Sequence, residues 1–205
     1  MTTAIGAYAT AAALKSLVNI SDTTDDTLIG NICDRVNMYI ETTTGRVLAP
    51  ISSTTYLFDG NDRTEINLTN PVDKAPMGGI RAITLLEFQS YTGSATWDTV
   101  ASTEYFLRQR IGMTGPFERL VFTDQPTGSY FIFPKGMSNI RVTGTAGWAA
   151  IPDDITELAL DLAARAWSGR QMGYTDADGA APISNYITGR DKEILRRYSL
   201  VEYVG

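Results

Sequence analysis

Apolar residues recur along this chain with two different periods, and the places where the period changes divide it into three parts. Between Thr10 and Val18, the residues Ala11, Leu14, Leu17 and Val18 fall on one side of a short helix, which Asn19 to Asp22 interrupts. Thr24, Asp25 and Asp26 then predict an N-cap for a longer helix. Within it Leu28, Ile32, Val36 and Ile40 step by four, flanked by Ile29, Cys33 and Tyr39. That pattern runs out through Thr42, Thr43 and Thr44 to Gly45, the residue type that most readily takes the left-handed turn closing a helix.

From Ile51 the period falls to two. Thr55–Phe58 and Glu65–Leu68 predict two strands joined as a hairpin across Asp59 to Asp62. Asn70-Pro71-Val72 is a turn signal, Lys74–Gly79 a loop, and Ile80–Phe88 a long apolar strand. Thr96–Val100, Tyr105–Leu107, Leu120–Phe122, Tyr130–Phe133 and Ile140–Thr143 continue the series, with loops at Gly112–Pro116 and Gln125–Gly128. Short strands in succession, without helical periodicity between them, predict an antiparallel sheet or small barrel inserted between helical parts.

Helical period returns beyond Gly144 and Gly147. Pro152 suits a helix start, where its missing N–H costs nothing, and Asp153 and Asp154 complement the positive end of the dipole. Ile155, Leu158, Ala159, Leu162, Ala163, Ala166 and Trp167 form one stripe whose small alanines admit another helix closely, as in the central helix of a packed bundle. Ser168-Gly169-Arg170 is expected to end it. Met172–Asn185 is polar and glycine-rich, and Thr188–Tyr198 predicts a last short helix with Ile194, Leu195 and Tyr198 on one side. The fold class expected is α+β: a small helical bundle from both chain ends (1–50 and 148–205) carrying an antiparallel β-subdomain (51–147).

Composition narrows the chemistry. At 205 residues, 43% hydrophobic and 20% charged, the chain has the make-up of an ordinary globular protein. No apolar run approaches the roughly 18 residues of a membrane span, and the first residues lack the basic start of a signal peptide. One cysteine, Cys33, cannot make an internal disulfide, and its place on an apolar helix face predicts a small buried hydrophobe. A net charge of −6 disfavours a phosphate-gripping surface. The chain has no histidine, which removes Ser-His-Asp and Cys-His catalysis and the usual zinc-ligand sets.

Carboxylates remain. Asp25-Asp26 and Asp153-Asp154 each open a predicted helix, where negative charge contributes ~0.3–1 kcal/mol; that role accounts for both pairs without acid–base chemistry. Asp176, Asp178 and Gly179 resemble the opening of a calcium loop, but a loop with Gly179 at its sixth position would start at Tyr174 and lack the later glutamate. No phosphate-cradling glycine motif is present. Asn19-Ile20-Ser21 and Asn67-Leu68-Thr69 match the glycosylation triplet, which carries no weight without a secretory signal. Tyr130 to Phe133 lacks interleaved Lys and Arg, so it reads as sheet core and not as a base-stacking platform. No catalytic residue, cofactor or metal is expected. The final residues Tyr198, Leu200, Val201, Tyr203 and Val204 are unusually apolar. Either they dock back onto their own core or they insert into a neighbouring subunit or partner.

Two stretches carry a resemblance. The first is Asp25-Asp26-x-Leu28-Ile29-x-x-Ile32-x-x-x-Val36-x-x-x-Ile40-Glu41-x-x-x-Gly45-Arg46. The second is Val142-x-Gly144-x-Ala146-Gly147-Trp148-x-x-x-Pro152-x-Asp154-Ile155-x-x-Leu158-Ala159-x-x-Leu162-Ala163. In order and separation around a β-rich middle they are similar to the head–tail connector (adaptor, or head-completion) proteins of long-tailed bacteriophages. Asn70-Pro71-Val72 sits where that family has a Pro-Val turn, whereas Lys74–Gly79 looks like an insertion and the region from Tyr91 to Gly128 is longer than a minimal connector needs.

The resemblance implies a virion protein of the neck, made in the host cytoplasm. Such proteins form a homo-oligomeric ring, dodecameric to match the portal, that extends the DNA channel and docks the next neck or tail protein. DNA would pass a negatively charged lumen without specific binding. By family habit and by the apolar tail, portal contact is expected in Arg196, Tyr198, Leu200, Val201 and Tyr203. Ring contacts are expected on the sheet and its loops, and deletion of Leu200 to Gly205 is expected to spare the fold while weakening portal attachment. The alternatives are a tail-completion or stopper protein of the same neck, and a carboxylate-based glycan hydrolase or a glycan-binding module using Trp97 and Trp148.

Overall fold

Thr10 opens the first helix, α1 (Ala11–Leu17), by accepting the Ala13 N–H on its hydroxyl at 3.2 Å, and Leu14 is the residue that α1 buries. The longer α2 (Asp26–Thr44) buries Ile29, Ile32, Cys33, Val36, Asn37, Ile40 and Thr44, the side of the helix that the four-residue spacing marks out. Asp25 stands at the N-cap, but its side chain makes no capping hydrogen bond there. At the other end Gly45 takes φ 67° and its N–H returns to the Glu41 carbonyl at 2.9 Å, a left-handed turn that a Cβ would oppose. This computed structural model describes residues 6–73, 78–89, 96–109, 115–123, 132–171 and 182–200.

Among the described residues seven strands follow: β1 (Ile51–Gly60), β2 (Glu65–Asn67), β3 (Ile80–Phe88), β4 (Asp98–Thr99), β5 (Tyr105–Arg108), β6 (Arg119–Phe122) and β7 (Gly136–Ala146). They make two antiparallel sheets, one in the order β1-β7-β3-β4 and one in the order β2-β6-β5. Alternation puts Tyr56, Phe58, Leu86, Phe88, Ile140 and Val142 on the inner face of the first sheet. They share one core with Ile66, Leu120 and Phe122 of the second.

The expected hairpin between β1 and β2 is not formed. β1 pairs with β7, Thr55 against Thr143 and Phe58 against Ile140, and β2 pairs with β6 in the other sheet. The reason lies in the turn. Gly60 N–H is taken by the buried Asn139 side chain at 2.9 Å, Asp62 N–H by the Phe133 carbonyl at 3.0 Å, and Phe133 N–H by the Arg63 carbonyl at 2.8 Å. The segment therefore bonds to the residues around β7 and turns away from its own strand. Of the strand expected at Tyr130–Phe133, Tyr130 and Phe131 lie outside the described residues. Phe133 lies outside any strand, with its ring buried against Phe88 and Phe122.

The third helix, α3 (Asp153–Gln171), starts directly after Pro152 and buries Ile155, Leu158, Ala159, Leu162, Ala163, Ala166 and Trp167. It runs through Ser168, Gly169 and Arg170, where the pattern predicted its end. Gly169 is a packing residue: a Cβ there would come within 2.5 Å of the Tyr186 hydroxyl. A 3-10 turn (Ile183–Tyr186) leads to α4 (Gly189–Tyr198), and α3 packs against α1, α2, α4 and that turn. The class is α+β. Met1–Ala49 with Ala150–Gly205 form one compact unit, here the helical unit, and Pro50–Ala149 form the other, the β unit. No helix among the described residues is long and apolar enough to cross a membrane.

Candidate functional site

The last helix is held by a polar network that begins at its cap. Thr188 and Asp191 form a reciprocal capping box: the Asp191 N–H donates to the Thr188 hydroxyl, and the Asp191 carboxylate accepts the Thr188 N–H at 2.8 Å. The same carboxylate accepts Arg165 Nη1 at 2.6 Å, and that nitrogen also donates to the Tyr186 carbonyl at 2.9 Å. Burial alone would raise the Asp191 carboxyl. The hydrogen bonds from Arg165 and from Thr188 outweigh it and hold the group below its ordinary value of 3.8. At the far end of α4 the Tyr198 hydroxyl donates to Asp154 Oδ1 at 2.7 Å, and Arg197 lies 3.7 Å from the other oxygen. Burial, then the Asp154 carboxylate, pushes Tyr198 up to about 12.

Among the described residues α4 has a hollow on either side. The one toward α3 has a volume of about 300 Å³; its carboxylates are Asp154, Glu157, Asp161, Asp191 and Glu193, and its guanidiniums Arg165, Arg190 and Arg197. The one toward α2, about 330 Å³, is lined by Tyr39, Thr43, Lys192, Leu195, Arg196 and Ser199. Arg196 is exposed, with Glu193 3.5 Å away in a surface pair of little energetic weight. Tyr198 is half-buried on the start of α3. Leu200 is half-buried too, its N–H donating to the Thr44 carbonyl at 2.9 Å beside Gly45. Val201 and Tyr203 lie outside the described residues. As far as Leu200, then, the segment docks onto its own helical unit, and Arg196 is the expected contact residue that faces outward.

Sequence reasoning missed the clamp on the N-terminal segment. Asn37 accepts the Ala9 N–H at 2.8 Å and donates to the Ala9 carbonyl at 3.0 Å, as a neighbouring strand would. One turn on, Glu41 accepts the Gly6 N–H at 2.7 Å and the Tyr8 hydroxyl at 3.0 Å, and the Tyr8 oxygen in turn accepts the Leu48 N–H at 2.9 Å. Burial first, and Glu41 second, drive the Tyr8 phenol far above its ordinary value. The signal was an asparagine on the apolar side of α2. For Asp191 the signal was the Thr-x-x-Asp spacing at the start of α4.

The other candidates stand apart. Asp154 is engaged by Tyr198, and Asp26 pairs with Lys15, so each acidic pair is tied in at a helix start. Trp97 lies under the Arg141 guanidinium, 3.8 Å from its ring centroid, at the middle of β7. Trp148 lies beyond the end of that strand, its carbonyl taking Arg81 Nη1 at 2.9 Å and its ring against Gly115. The two tryptophans do not form a shared stacking platform. Cys33 is buried, its thiol pushed up to about 11 by burial and then by Asp34. Among the described residues no cluster of three or more His, Cys, Asp or Glu side chains is placed to hold a metal ion. Asp176 and Asp178 lie outside them.

The fold and this site define an α+β protein whose polar networks hold helix ends together. No known family profile matches the chain, and no curated protein matches it. Among solved structures it is similar to a chain from the neck of an empty gene transfer agent (GTA) particle, computed with C6 symmetry. The TM-score is 0.56 at 17% identity, and the alignment covers 100% of this chain and 96% of that one. At that identity the likeness is one of fold.

Proposed function

We propose that this chain is a structural protein of the neck of a phage-like particle. In this reading it is a head–tail connector that joins copies of itself into a ring below the portal, continues the DNA channel and receives the next neck or tail protein. The observation that carries this reading is the full-length likeness to a neck chain, helical unit and β unit together. The residues of the two connector-like stretches give it physical content. Glu41 and Gly45 organise the end of α2, and Pro152, Asp154 and Ile155 start the helix on which the bundle packs. A net charge of −6 suits a channel wall that the DNA backbone slides past.

Portal contact belongs, in this reading, to the outward side of α4 and the residues after it: Arg196 first, with Val201 and Tyr203 beyond. Tyr198 and Leu200 are tied to the start of α3 and the end of α2 and so anchor the C-terminal end of α4. The deletion that tests it therefore starts after Leu200, because Leu200 is tied to the end of α2.

Negative-stain microscopy of the full chain mixed with portal rings from its own particle tests the reading. Added ring density at one end of the portal is the expected result, lost or thinned on removal of residues 201–205. A chain that stays monomeric and unbound beside the portal overturns it. So does a sugar-dependent rise in thermal stability without any assembly, which would favour a glycan-binding module.

A further inference from the structure

The β2-β6-β5 sheet has an outer face that its own chain leaves in solvent. Period two turns Ile66, Leu120 and Phe122 inward and sends their neighbours out. Register lines those neighbours up across the strands: Phe106 opposite Val121 opposite Glu65, and Arg108 opposite Arg119 opposite Asn67. Phe106 is 47% exposed, on a strand that is an edge of its sheet among the described residues. The single Glu65 carboxylate serves two guanidiniums, one oxygen toward Arg108 and the other toward Arg119. The patch is thus apolar at one row and cationic at the next, in a chain whose net charge is −6. Those arginines are about half exposed, so the ion pairs add little stability and can be re-partnered at small cost.

We infer that this face is one side of the contact between neighbouring copies of the chain, Phe106 its apolar anchor and Arg108 and Arg119 its cationic rim. The inference rests on the ring reading above. Rings close through head-to-tail contacts, which join two different surfaces of the same chain. A complementary surface is present: Asp153, Glu157 and Asp161 are exposed and recur every fourth residue along α3, and the last two line a hollow where five carboxylates meet three guanidiniums. Glu157 faces Arg190 at 3.7 Å and Asp161 faces Arg165 at 3.6 Å, in surface pairs that can be re-partnered. An exposed aromatic flanked by arginines is the composition that supplies binding energy in protein interfaces, and the carboxylates supply the matching charge.

Sedimentation and native mass spectrometry of the full chain, alone and added to portal rings, test this. F106E is expected to lower the fraction of chain in rings roughly tenfold or more at a fixed concentration, with the circular dichroism and melting temperature of the wild type. F106S is the second variant should the glutamate disturb folding. R108Q/R119Q is expected to lower assembly several-fold and to flatten its dependence on salt, and L17E, on the helical unit, to leave it unchanged. Folded F106E or F106S that assembles like the wild type overturns the inference and leaves the ring reading standing. The inference also falls if R108Q/R119Q alters retention of double-stranded DNA without altering assembly, because the face would then be a nucleic-acid contact. A wild-type chain that makes no ring under either condition sinks the ring reading itself, and this inference with it.

Discussion

The helical unit and the β unit are each built on a different kind of internal contact. In the helical unit an aliphatic core of Leu14, Ile29, Val36, Ile40, Leu158 and Leu162 is crossed by directional polar ties: Asn37 to Ala9, Glu41 to Gly6 and Tyr8, Asp191 to Arg165 and Thr188. Its exposed large apolar residue, among those described, is Leu17. In the β unit the centre is aromatic. Phe88 meets Phe122 and Phe133 edge-on at 6.0 and 5.5 Å, and Phe122 meets Phe133 at 4.6 Å. There the surface is apolar in places as well, at Val72, Leu85, Phe106, Ile132 and Met137.

Directional ties fix positions. Each works in one geometry and fails when one partner is removed, so the helical unit holds residues 6–9 and α4 in defined places. Burial of apolar area is non-directional, and in the β unit it carries more of the weight, beside ties such as Asn139 to Gly60. A unit built that way can spend surface on apolar contacts with other molecules, which suits a part of a ring that meets its neighbours.

The largest expected effect is on the aromatic centre. Phe88→Ala removes the ring that touches both other phenylalanines and is expected to cost about 3–5 kcal/mol, read by urea unfolding; a loss near zero would mean that the sheets do not depend on this cluster. Next comes Asp191→Asn. It weakens the tie to Arg165 and one arm of the capping box, and about 2 kcal/mol is expected, less than for a fully buried pair because the Arg165 side chain is 34% exposed.

That second effect carries a pH signature. Because the folded carboxyl is held below its ordinary value of 3.8, its stabilisation is complete above that value and fades as pH falls through it toward the folded one. The gap between wild type and Asp191→Asn should therefore be constant near neutrality and close in acid, whereas the Phe88→Ala gap should not share that dependence. Equal pH profiles for the two would break the contrast between the units.

Smaller effects sharpen it. Gly45→Ala forces a Cβ into left-handed backbone at φ 67° and is expected to cost about 1 kcal/mol, seen as a lowered melting temperature. Phe106→Ser is expected to change stability by no more than about 0.5 kcal/mol while reducing assembly. A large loss of stability instead would show that Phe106 belongs to the core.

Much of this was legible without coordinates. The stripe from Ile155 to Trp167 announces α3 because residues at that spacing gather on a single face only when the chain is wound as a helix. Gly45 marks the end of α2 for a reason contained in its own backbone. The hairpin after Phe58 was misread because Asp59-Gly60-Asn61-Asp62 has the residues of a tight turn. Its Gly60 and Asp62 N–H groups donate to Asn139 and Phe133, which no local window contains. At the site, the spacing of Thr188 and Asp191 holds the local signal of a cap that the helical pattern alone did not bring out. That Arg165 would complete it from another helix has no local signal at all.

The sequence alone determined helices α1 to α4 and most of the strands, the α+β class, the acidic balance and the lack of histidine, because each is a property of composition or of spacing within a few turns of chain. The tertiary structure decided that β1 lies on β7 across 88 residues, that Asn37 and Glu41 hold the N-terminal segment, and that Phe106 faces water. Those outcomes depend on which distant side chains share a core. Pairing energy between such residues has no signature in the stretch of chain that either one occupies.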